Sequence, residues 1–411
     1  MKKGLKILLV SSEAAPFAKE GGLGDVVGTM PRFIKNLGHD IRIVIPRYYR
    51  IDKQYYNLKQ IPGALGVPMG IIGTLWSGVY EARLPNSDVP VYFIEFEQYF
   101  GRDGLYNDTN GQGFMDNDNR FVFLSRGALE LAKMIGFSPD VIHVHDWQTA
   151  IIPVYINTLY KNDPTVGKSA TVLTIHNMQH QGDFYEGLMD VLGVGWQHFN
   201  YLELEAFNKV NLLKGGIYHS TLLTTVSKTY AQEIQTPEFG YRLEGVVKER
   251  AKDLYGILNG VDYDEWNPEK DRYIIANYSH EDLTGKTLCK SDLQKTMGLP
   301  QRSDVPLFGI VSRLVYQKGI DVFAEAIHRL VDLDIQIVML GTGEPWAHFF
   351  FPDIAAKNPE KFACHIGYNN ALAHKIEAGC DFFLMPSRFE PCGLNQMYSM
   401  RYGTLPIVRA T

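Results

Sequence analysis

The sequence predicts an α/β protein built from two doubly wound domains, and three observations carry this prediction. The chain has 411 residues, more than a single ordinary hydrophobic core accommodates. Short, continuously apolar runs alternate with helix-like stretches, as in strands that are buried on both faces of a parallel sheet. Two glycine-containing loops, at residues 19–25 and 312–319, each follow such a run and precede a helical pattern. We expect the domains to span residues 1–253 and 254–411.

The candidate strands form two series along the chain. The first series comprises residues 6–10, 41–45, 91–96, 141–145, 171–175 and 222–226. The second series comprises residues 257–259, 307–311, 335–340, 362–367, 382–385 and 406–408. After each glycine loop, apolar residues recur at spacings of three and four, which is the period of an amphipathic helix. Repeated strand–helix–strand units predict a mainly parallel sheet in each domain.

Composition narrows the class of protein. A formal net charge of −6 argues against a general binder of nucleic acid or of membrane surfaces. The four cysteines, at positions 289, 364, 380 and 392, show no pair with the spacing of a zinc knuckle or a redox motif. The apolar run at 7–10 is too short for the core of a signal peptide, and no stretch approaches the length of a membrane span. We therefore expect a cytoplasmic protein.

The two glycine loops predict an anion site in each domain. Backbone N–H groups and the helix dipole favour a phosphate where a strand leads into a helix N-terminus. Lys19 and Gly22 lie in the first loop, and Arg313 and Lys318 bracket the second. A plain tight turn and solvated surface charges are the alternatives. The glycine spacing of the first loop is one residue too long for a dinucleotide fingerprint, which disfavours a nicotinamide-dependent oxidoreductase without eliminating it.

Polar residues follow several predicted strands at the edge where open α/β sheets bind ligands. Glu13 follows the first strand, Asp146 the fourth, His176 the fifth, and Glu390 a strand of the second series. Trp147, beside Asp146, offers a ring on which a sugar could stack. Each residue has a structural alternative: a buried tryptophan, a satisfied core histidine, or an acid that compensates a helix dipole.

Together these motifs resemble bacterial glycogen synthase and plant-type starch synthase. These are retaining glucosyltransferases of family 5 with the GT-B fold, in which two Rossmann-like domains face each other across a cleft. The matching stretches occur in family order and are residues 19–25, 143–148, 174–177, 257–262, 312–319 and 388–394. The most specific of them is Glu390-Pro391-Cys392-Gly393-Leu394. The combination is specific, although each piece is not.

The resemblance implies roles for individual residues. Catalytic roles fall to Glu390, Lys318, Arg313, His176, Asp146 and Lys19. Substrate contacts fall to Glu13, Gly22, Asp25, Tyr106, Trp147, Asn177, Asn259, Tyr368, Cys392, Gly393, Leu394 and Asn395. Arg313 and Lys318 are implied to hold the diphosphate of the donor, and Glu390 to contact the glucosyl unit. The expectation includes no metal and no cofactor.

The activity implied by the resemblance is transfer of glucose from a nucleotide sugar, with ADP-glucose favoured over UDP-glucose, to the 4-hydroxyl of an α-1,4-glucan with retention of configuration. Nucleic acid and membrane are not expected as partners. Family members continue beyond Thr411, so the C-terminal domain is expected to be incomplete. The alternatives are a UDP-glucose-dependent or other GT-B glucosyltransferase, and a glucan-binding form with weak activity.

Overall fold

The computed structural model describes residues 4–108 and 111–410, so Thr411, at which we expected truncation, lies outside the described residues. The chain divides into two compact units, Met1–Gly260 and Val261–Thr411. The division falls a few residues after the predicted boundary, because the last strand of the first sheet extends to Gly256. Within the described residues, no helix is long and apolar enough to cross a membrane.

The first unit is built on a large sheet. Its strands, including those of a smaller sheet, are β1 (Lys6–Val10), β2 (Asp40–Pro46), β3 (Lys59–Gln60), β4 (Leu65–Pro68), β5 (Thr74–Arg83), β6 (Pro90–Glu95), β7 (Val141–His145), β8 (Ala170–Ile175), β9 (Asp183–Phe184), β10 (Glu205–Ala206), β11 (Lys209–Asn211), β12 (Leu222–Thr225) and β13 (Leu254–Gly256). The large sheet has ten strands in the order β13-β12-β8-β7-β1-β2-β6-β5-β3, with β4 paired to β5. The strands from β13 to β6 are parallel, whereas β5 runs antiparallel to β6. Strands β9, β10 and β11 form a separate antiparallel sheet.

Helices connect these strands. They are α1 (Gly22–Asn36), α2 (Glu97–Phe100), α3 (Asn117–Met134), α4 (Asp146–Thr149), α5 (Ile151–Asn157), α6 (Leu188–Leu192), α7 (Leu212–His219), α8 (Lys228–Glu233), α9 (Pro237–Gly240) and α10 (Glu244–Glu249), with single 3₁₀ turns at Gly70–Ile72, Trp196–His198 and Ala251–Asp253. Helix α3 packs within the core of this unit. Its residues Phe121, Val122, Phe123 and Leu124 are all buried, so this helix is covered on more than one side.

The second unit is a smaller, wholly parallel sheet. Its elements are α11 (Thr284–Thr296), β14 (Leu307–Leu314), the 3₁₀ turn Tyr316–Lys318, α12 (Ile320–Leu330), β15 (Gln336–Gly343), α13 (Pro345–Lys357), β16 (Phe362–Ile366), α14 (Asn370–Gly379), β17 (Phe382–Met385), α15 (Leu394–Arg401) and β18 (Leu405–Val408). The strand order is β16-β15-β14-β17-β18. Along β15, Ile337 and Met339 join one apolar cluster while Val338 and Leu340 join another, so the sheet is covered on both faces.

The predicted strands are confirmed to within a few residues except at 257–259. That run is not a strand, and β13 precedes it and pairs with β12 in the first sheet. Ile257 and Leu258 are 61% and 60% exposed, so their apolar character does not mark a buried strand. The structure also contains strands that the sequence reading missed, among them the antiparallel pair of β4 and β5.

Candidate active site

Both sheets place most of the predicted site residues at a topological switch point, where the strand order reverses. In the first unit, β1 is the first parallel strand and lies between β2 and β7. In the second unit, β14 is the first strand and lies between β15 and β17. Connections on the two sides of such a point leave in opposite directions and open a crevice at the carboxyl ends of the strands. The segments that follow β1, β7, β14 and β17, each counted as the loop together with the start of the next helix, carry most of the predicted residues.

The buried carboxylate of Glu13 holds the first glycine loop in place through hydrogen bonds. One carboxylate oxygen accepts hydrogen bonds from the backbone N–H groups of Glu20 (2.7 Å) and Gly21 (3.1 Å). The other oxygen accepts from the hydroxyl of Tyr106 at 2.6 Å. The side chain is almost wholly buried, and burial raises the pKa of Glu13 even though these hydrogen bonds oppose the shift. The predicted residues Glu13 and Tyr106 therefore lie together, with both oxygens of Glu13 occupied by the protein.

Lys19 and Asp25 form an ion pair within the same loop. The Nζ of Lys19 lies 2.7 Å from a carboxylate oxygen of Asp25, and both side chains are partly exposed. Gly22 is the first residue of α1, and its N-cap Gly21 supplies no side-chain cap. A Cβ added at Gly24 would lie 3.1 Å from the Glu13 carboxylate and equally close to the Lys19 side chain, so the loop is tightly folded here. The first turn of α1 thus combines backbone donors with a cation.

Asp146 joins the ends of two neighbouring strands. It begins α4 with φ at 52°, in the left-handed region, which costs about 1–3 kcal/mol and is found at functional sites. Its Oδ1 accepts a hydrogen bond from the backbone N–H of His176 at 2.7 Å, and the N–H of Asn177 lies 3.4 Å from the same oxygen. Burial raises the pKa of Asp146 to about 7. The predicted residues Asp146, His176 and Asn177 are therefore brought together.

Behind His176 lies a group of neutral histidines. The Nε2 of His176 is 3.0 Å from Nδ1 of His145, and the ring of His145 lies 4.3 Å from that of His143, centroid to centroid. Burial lowers the pKa of His143 to about 4 and that of His176 to about 3. At neutral pH His176 is therefore an uncharged hydrogen-bonding group, suited to a sugar hydroxyl rather than to a phosphate.

Trp147 is placed differently from the sugar-stacking role considered above. Its side chain is 9% exposed, with Phe121 against it edge-on at 5.1 Å and Phe184 tilted at 5.4 Å between ring centroids. A Cβ on Gly182 would lie 2.6 Å from the indole. These contacts make Trp147 a packing residue beneath Asp146, and a direct contact with substrate stays a prediction.

In the second unit, Lys318 and Glu390 meet. The Nζ of Lys318, in the turn after β14, donates to both carboxylate oxygens of Glu390, at 2.9 and 2.7 Å. The hydroxyl of Ser387 donates to one of the same oxygens at 3.0 Å. The side chains of Lys318 and Glu390 are 20% and 21% exposed, so the pair is sheltered but reachable. The two loops at the switch point of this sheet therefore present one cation and one anion side by side.

Arg313 lies at the end of β14 and is exposed. Its guanidinium donates to the side-chain oxygen of Gln317 at 3.3 Å. Arg388, in the loop after β17, ties that loop to the same turn. Its guanidinium pairs with both carboxylate oxygens of Asp321 at 2.6 and 2.7 Å, and its backbone N–H donates to the backbone carbonyl of Gln317. Arg313 is therefore the cation of this loop that is most open to a ligand, while Arg388 holds the loop in place.

The start of α15 completes this part of the site. Gly393 is its N-cap, with φ at 77°, a conformation that glycine adopts without strain, and Leu394 is its first residue. Cys392 is half-buried and is not part of a disulfide. The side-chain amide of Asn395 donates to the backbone carbonyl of Val311 at 2.6 Å, which ties α15 to β14. Asn395 is thus engaged by the protein, whereas Gly393 and Leu394 place backbone N–H groups at a helix N-terminus.

Two predicted residues stand apart from these groups. Tyr368 follows β16 and is 79% exposed, with its ring available to a planar ligand. Asn259 is half-buried in the segment just before the division between the units. Their contacts with substrate stay predictions.

Sequence reasoning missed several residues that hold the site in shape. Tyr48 donates its hydroxyl to the backbone carbonyl of Ser12 at 2.9 Å, and nothing in the sequence near Tyr48 points to this contact. Ser387 and Asp321 are close in sequence to Glu390 and Lys318, and that proximity was the available signal. All three are supports, not candidate substrate ligands.

Known proteins resemble this chain over its whole length. Residues 6–249 match the family model of the starch synthase catalytic domain, and residues 297–411 match that of glycosyl transferases group 1. Glycogen synthase 1 of Geobacter metallireducens is 67% identical over 411 residues, which are 100% of this chain and 82% of that protein. Glycogen synthase 1 of Geobacter sulfurreducens is 64% identical over 99% of this chain and 81% of its own length.

A solved structure gives the same result. The catalytic domain of starch synthase IV from Arabidopsis thaliana, bound to ADP and acarbose, superposes with a TM-score of 0.92 at 35% identity, covering 99% of this chain and 83% of that one. Sequence and fold agree over both units. The chain therefore belongs to the glycogen synthase and starch synthase family of glycosyltransferases and has their GT-B fold.

Proposed function

We propose that this protein transfers glucose from ADP-glucose to the non-reducing 4-hydroxyl of an α-1,4-glucan with retention of configuration. The single observation that carries the proposal is the Lys318–Glu390 pair at the switch point of the second sheet, in a chain of this family. ADP is favoured as the nucleotide because the Arabidopsis relative was solved with ADP. A cytoplasmic location stays a prediction.

The second unit supplies the groups that a nucleotide diphosphate needs. Lys318 and Arg313 provide two cations, and the first turn of α15 provides backbone N–H groups. Charge-assisted hydrogen bonds contribute roughly 1.5–3 kcal/mol each. Aimed at the departing diphosphate, one such donor accounts for about 10²–10³ in rate. The exposed ring of Tyr368 is proposed to stack on the nucleotide base.

Glu390 is proposed to act on the glucosyl unit. Its carboxylate lies against Lys318, so a diphosphate that binds the lysine brings the sugar carbon beside the carboxylate. As the bond to the diphosphate breaks, positive charge develops on the sugar ring, and a nearby carboxylate stabilises it. We propose attack by the acceptor on the face that the diphosphate leaves, with the diphosphate taking the proton of the acceptor hydroxyl.

The first unit is proposed to bind the sugar. Neutral His176 and the Asp146 carboxyl group provide a donor and an acceptor for glucose hydroxyls. Lys19 and the N–H of Gly22 add positive charge at the start of α1. Glu13 and Tyr106 hold the loop that carries them. In this proposal Glu13 acts through the loop and not on the substrate.

The experiment is a donor competition with a glycogen primer. The purified chain is given equal concentrations of ADP-glucose and UDP-glucose, each carrying a different isotope, and incorporation into the polymer is followed. The proposal predicts that label from ADP-glucose predominates. Predominant UDP-glucose label would refute the donor, whereas absence of any transfer by folded protein would refute the activity itself. Small sugars replacing glycogen as acceptors test the alternative of another glucosyltransferase.

A further inference from the structure

Three metal-ligating side chains converge in the first unit, and none of them is a residue of the candidate active site. His198 ends the 3₁₀ turn Trp196–His198, Glu203 lies in the loop before β10, and His219 is the last residue of α7. One ligand atom of each lies within 4.8 Å of the other two. None of these three residues has a role in the proposed glucosyl transfer.

The two imidazole rings meet at one oxygen of the Glu203 carboxylate. Nδ1 of His198 lies 2.6 Å and Nε2 of His219 lies 2.9 Å from the same carboxylate oxygen of Glu203. The side chains of His198, His219 and Glu203 are 20%, 9% and 16% exposed, so the cluster is sheltered but still reached by water. Ligands about 2.0–2.2 Å from a zinc ion stand roughly 3.4 Å apart in a tetrahedron. A small opening of the cluster is enough to admit an ion.

We propose that His198, Glu203 and His219 bind one borderline divalent cation, with Zn²⁺ preferred. Two imidazole nitrogens and one carboxylate oxygen are a ligand set typical of Zn²⁺, and a fourth position is left for water. Oxygen-seeking Mg²⁺ and Ca²⁺ do not suit a site with two nitrogen ligands.

The neighbours of the cluster determine how well it binds. Asn200 donates to the other oxygen of Glu203 at 3.2 Å and so orients the carboxylate. Asn157, the last residue of α5, places its side-chain amide nitrogen 3.2 Å from Nδ1 of His219 and 2.9 Å from the His219 carbonyl oxygen. When Nε2 binds the ion, the proton of the imidazole sits on Nδ1 and needs an acceptor. The amide of Asn157 must then turn its oxygen toward the ring, and this weakens the site.

One charged neighbour opposes a cation. The guanidinium of Arg250 donates to the backbone carbonyls of Ile217 and Ser220 at the end of α7, but it also pairs with Asp253 at 3.1 Å, which offsets its charge. An ion held by the cluster would tie the loop around residues 198–203 to the end of α7. The role of the site is therefore structural, and it does not depend on the proposed function.

The test is a titration of the untagged, metal-free chain with Co²⁺ alone, followed by displacement with Zn²⁺. Visible absorption bands of Co²⁺ report its ligands directly. The proposal predicts saturation at a single ion per chain, displacement by Zn²⁺, and a loss of affinity of at least about 100-fold in Glu203→Gln and in His219→Gln, because even changes behind the ligands cost roughly 10–100-fold. His280→Gln, at an exposed histidine outside the cluster, is the matched control and should bind as the parent does.

A further variant separates this site from adventitious binding. Asn157→Asp supplies a carboxylate acceptor for Nδ1 of His219 and is expected to tighten Co²⁺ binding by about 10-fold. His198→Gln carries the test if Glu203→Gln fails to fold by circular dichroism. Unchanged Co²⁺ affinity in the ligand variants, or the absence of a saturable Co²⁺ spectrum in the parent chain, would overturn the proposal.

Discussion

At the scale of single residues, the lysine of each glycine loop is held by a carboxylate of its own unit. Lys19 pairs with Asp25, and Lys318 pairs with both oxygens of Glu390. Such partly exposed pairs contribute little to stability, about 0–1 kcal/mol, so a ligand that separates them costs the fold little. In the proposed function, an anionic ligand would compete with the carboxylate for the lysine, and this would release the carboxylate toward the rest of the ligand.

Glu390→Gln tests this competition. The substitution keeps the shape of the side chain but removes its charge, so ADP should bind at least as tightly as to the parent. The turnover number should fall by about 10²–10³, because charge developing on the sugar loses its partner. Calorimetry with ADP and initial rates with ADP-glucose measure the two effects. Glu325→Gln, on the exposed side of α12, is the control. A normal turnover number in Glu390→Gln would remove Glu390 from the mechanism.

Asp146→Asn gives a prediction about pH. Burial raises the pKa of Asp146 to about 7, above the ordinary value of 3.8, so the folded protein binds this proton more tightly than the unfolded chain. The protonated Asp146 side chain stabilises the folded protein fully below about pH 4. Between about pH 4 and 7 the free energy of unfolding falls by about 1.4 kcal/mol for each unit of pH, and this contribution is then lost. The Asn variant has no such loss. Thermal unfolding at pH 5 to 8 should show that the stability of the Asn variant rises relative to that of the parent as the pH increases. A difference in stability that does not change with pH would contradict the raised pKa.

Sequence reasoning located most site residues because strand ends in parallel sheets are easy to recognise. Asp146 and His176 were found in this way, and their hydrogen bond follows from the pairing of neighbouring strands β7 and β8. Contacts that depend on the direction in which a side chain points could not be predicted from the sequence. The enclosure of Trp147 by Phe121 and Phe184, residues distant in sequence, is of that kind.

At the scale of elements, the turn between β14 and α12 depends on one glycine. Gly319 has φ at 66°, and a Cβ there would lie 2.0 Å from the backbone oxygen of Pro386 in the loop after β17. The two loops that carry Lys318 and Glu390 therefore touch backbone to backbone. Only glycine allows both the left-handed conformation and this approach.

Gly319→Ala should destabilise the protein by more than about 1 kcal/mol, because the new methyl group meets strain and a clash together. It should also lower turnover, since the loop after β17 has to move and Glu390 moves with it. Gly245→Ala, in the first turn of α10, is the matched control and should stabilise by up to about 1 kcal/mol, because the added Cβ would meet no described atom within 4 Å apart from its chain neighbours and the backbone of its own helix. Denaturant unfolding and initial rates measure both variants, and equal stabilities would contradict the account of this turn.

The elements themselves were predictable where they are continuously apolar and parallel. The sequence reading failed where other patterns apply. Strand β5, at the antiparallel side of the sheet, has only Ser77 and Val79 buried, so it lacks the continuous apolar run that marks the central strands. At residues 257–259 an apolar run was predicted to be a strand, but Ile257 and Leu258 lie exposed on the surface.

At the scale of the whole molecule, two units of the same design carry different chemistry. Each has its first strand at a switch point and a glycine-containing turn after that strand. The second unit adds a carboxylate beside its cation, and the first adds neutral histidine and a carboxyl group of raised pKa. The family and its fold could be recognised from the motifs because these turns are short and local in sequence. The division of the chain was harder to place, because β13 belongs to the first sheet although it borders the second unit.

The proposed function assigns roles to residues of each unit, and its most direct measurement is the turnover number of Lys19→Ala and Lys318→Ala with ADP-glucose and glycogen. Lys35→Ala in α1 and Lys357→Ala in α13 are the controls, since these lysines lie in the last turns of their helices. The account predicts a fall of at least about 100-fold in each of the first two variants, with folding unchanged, and normal rates in the controls. A turnover number near that of the parent in either Lys19→Ala or Lys318→Ala would contradict it.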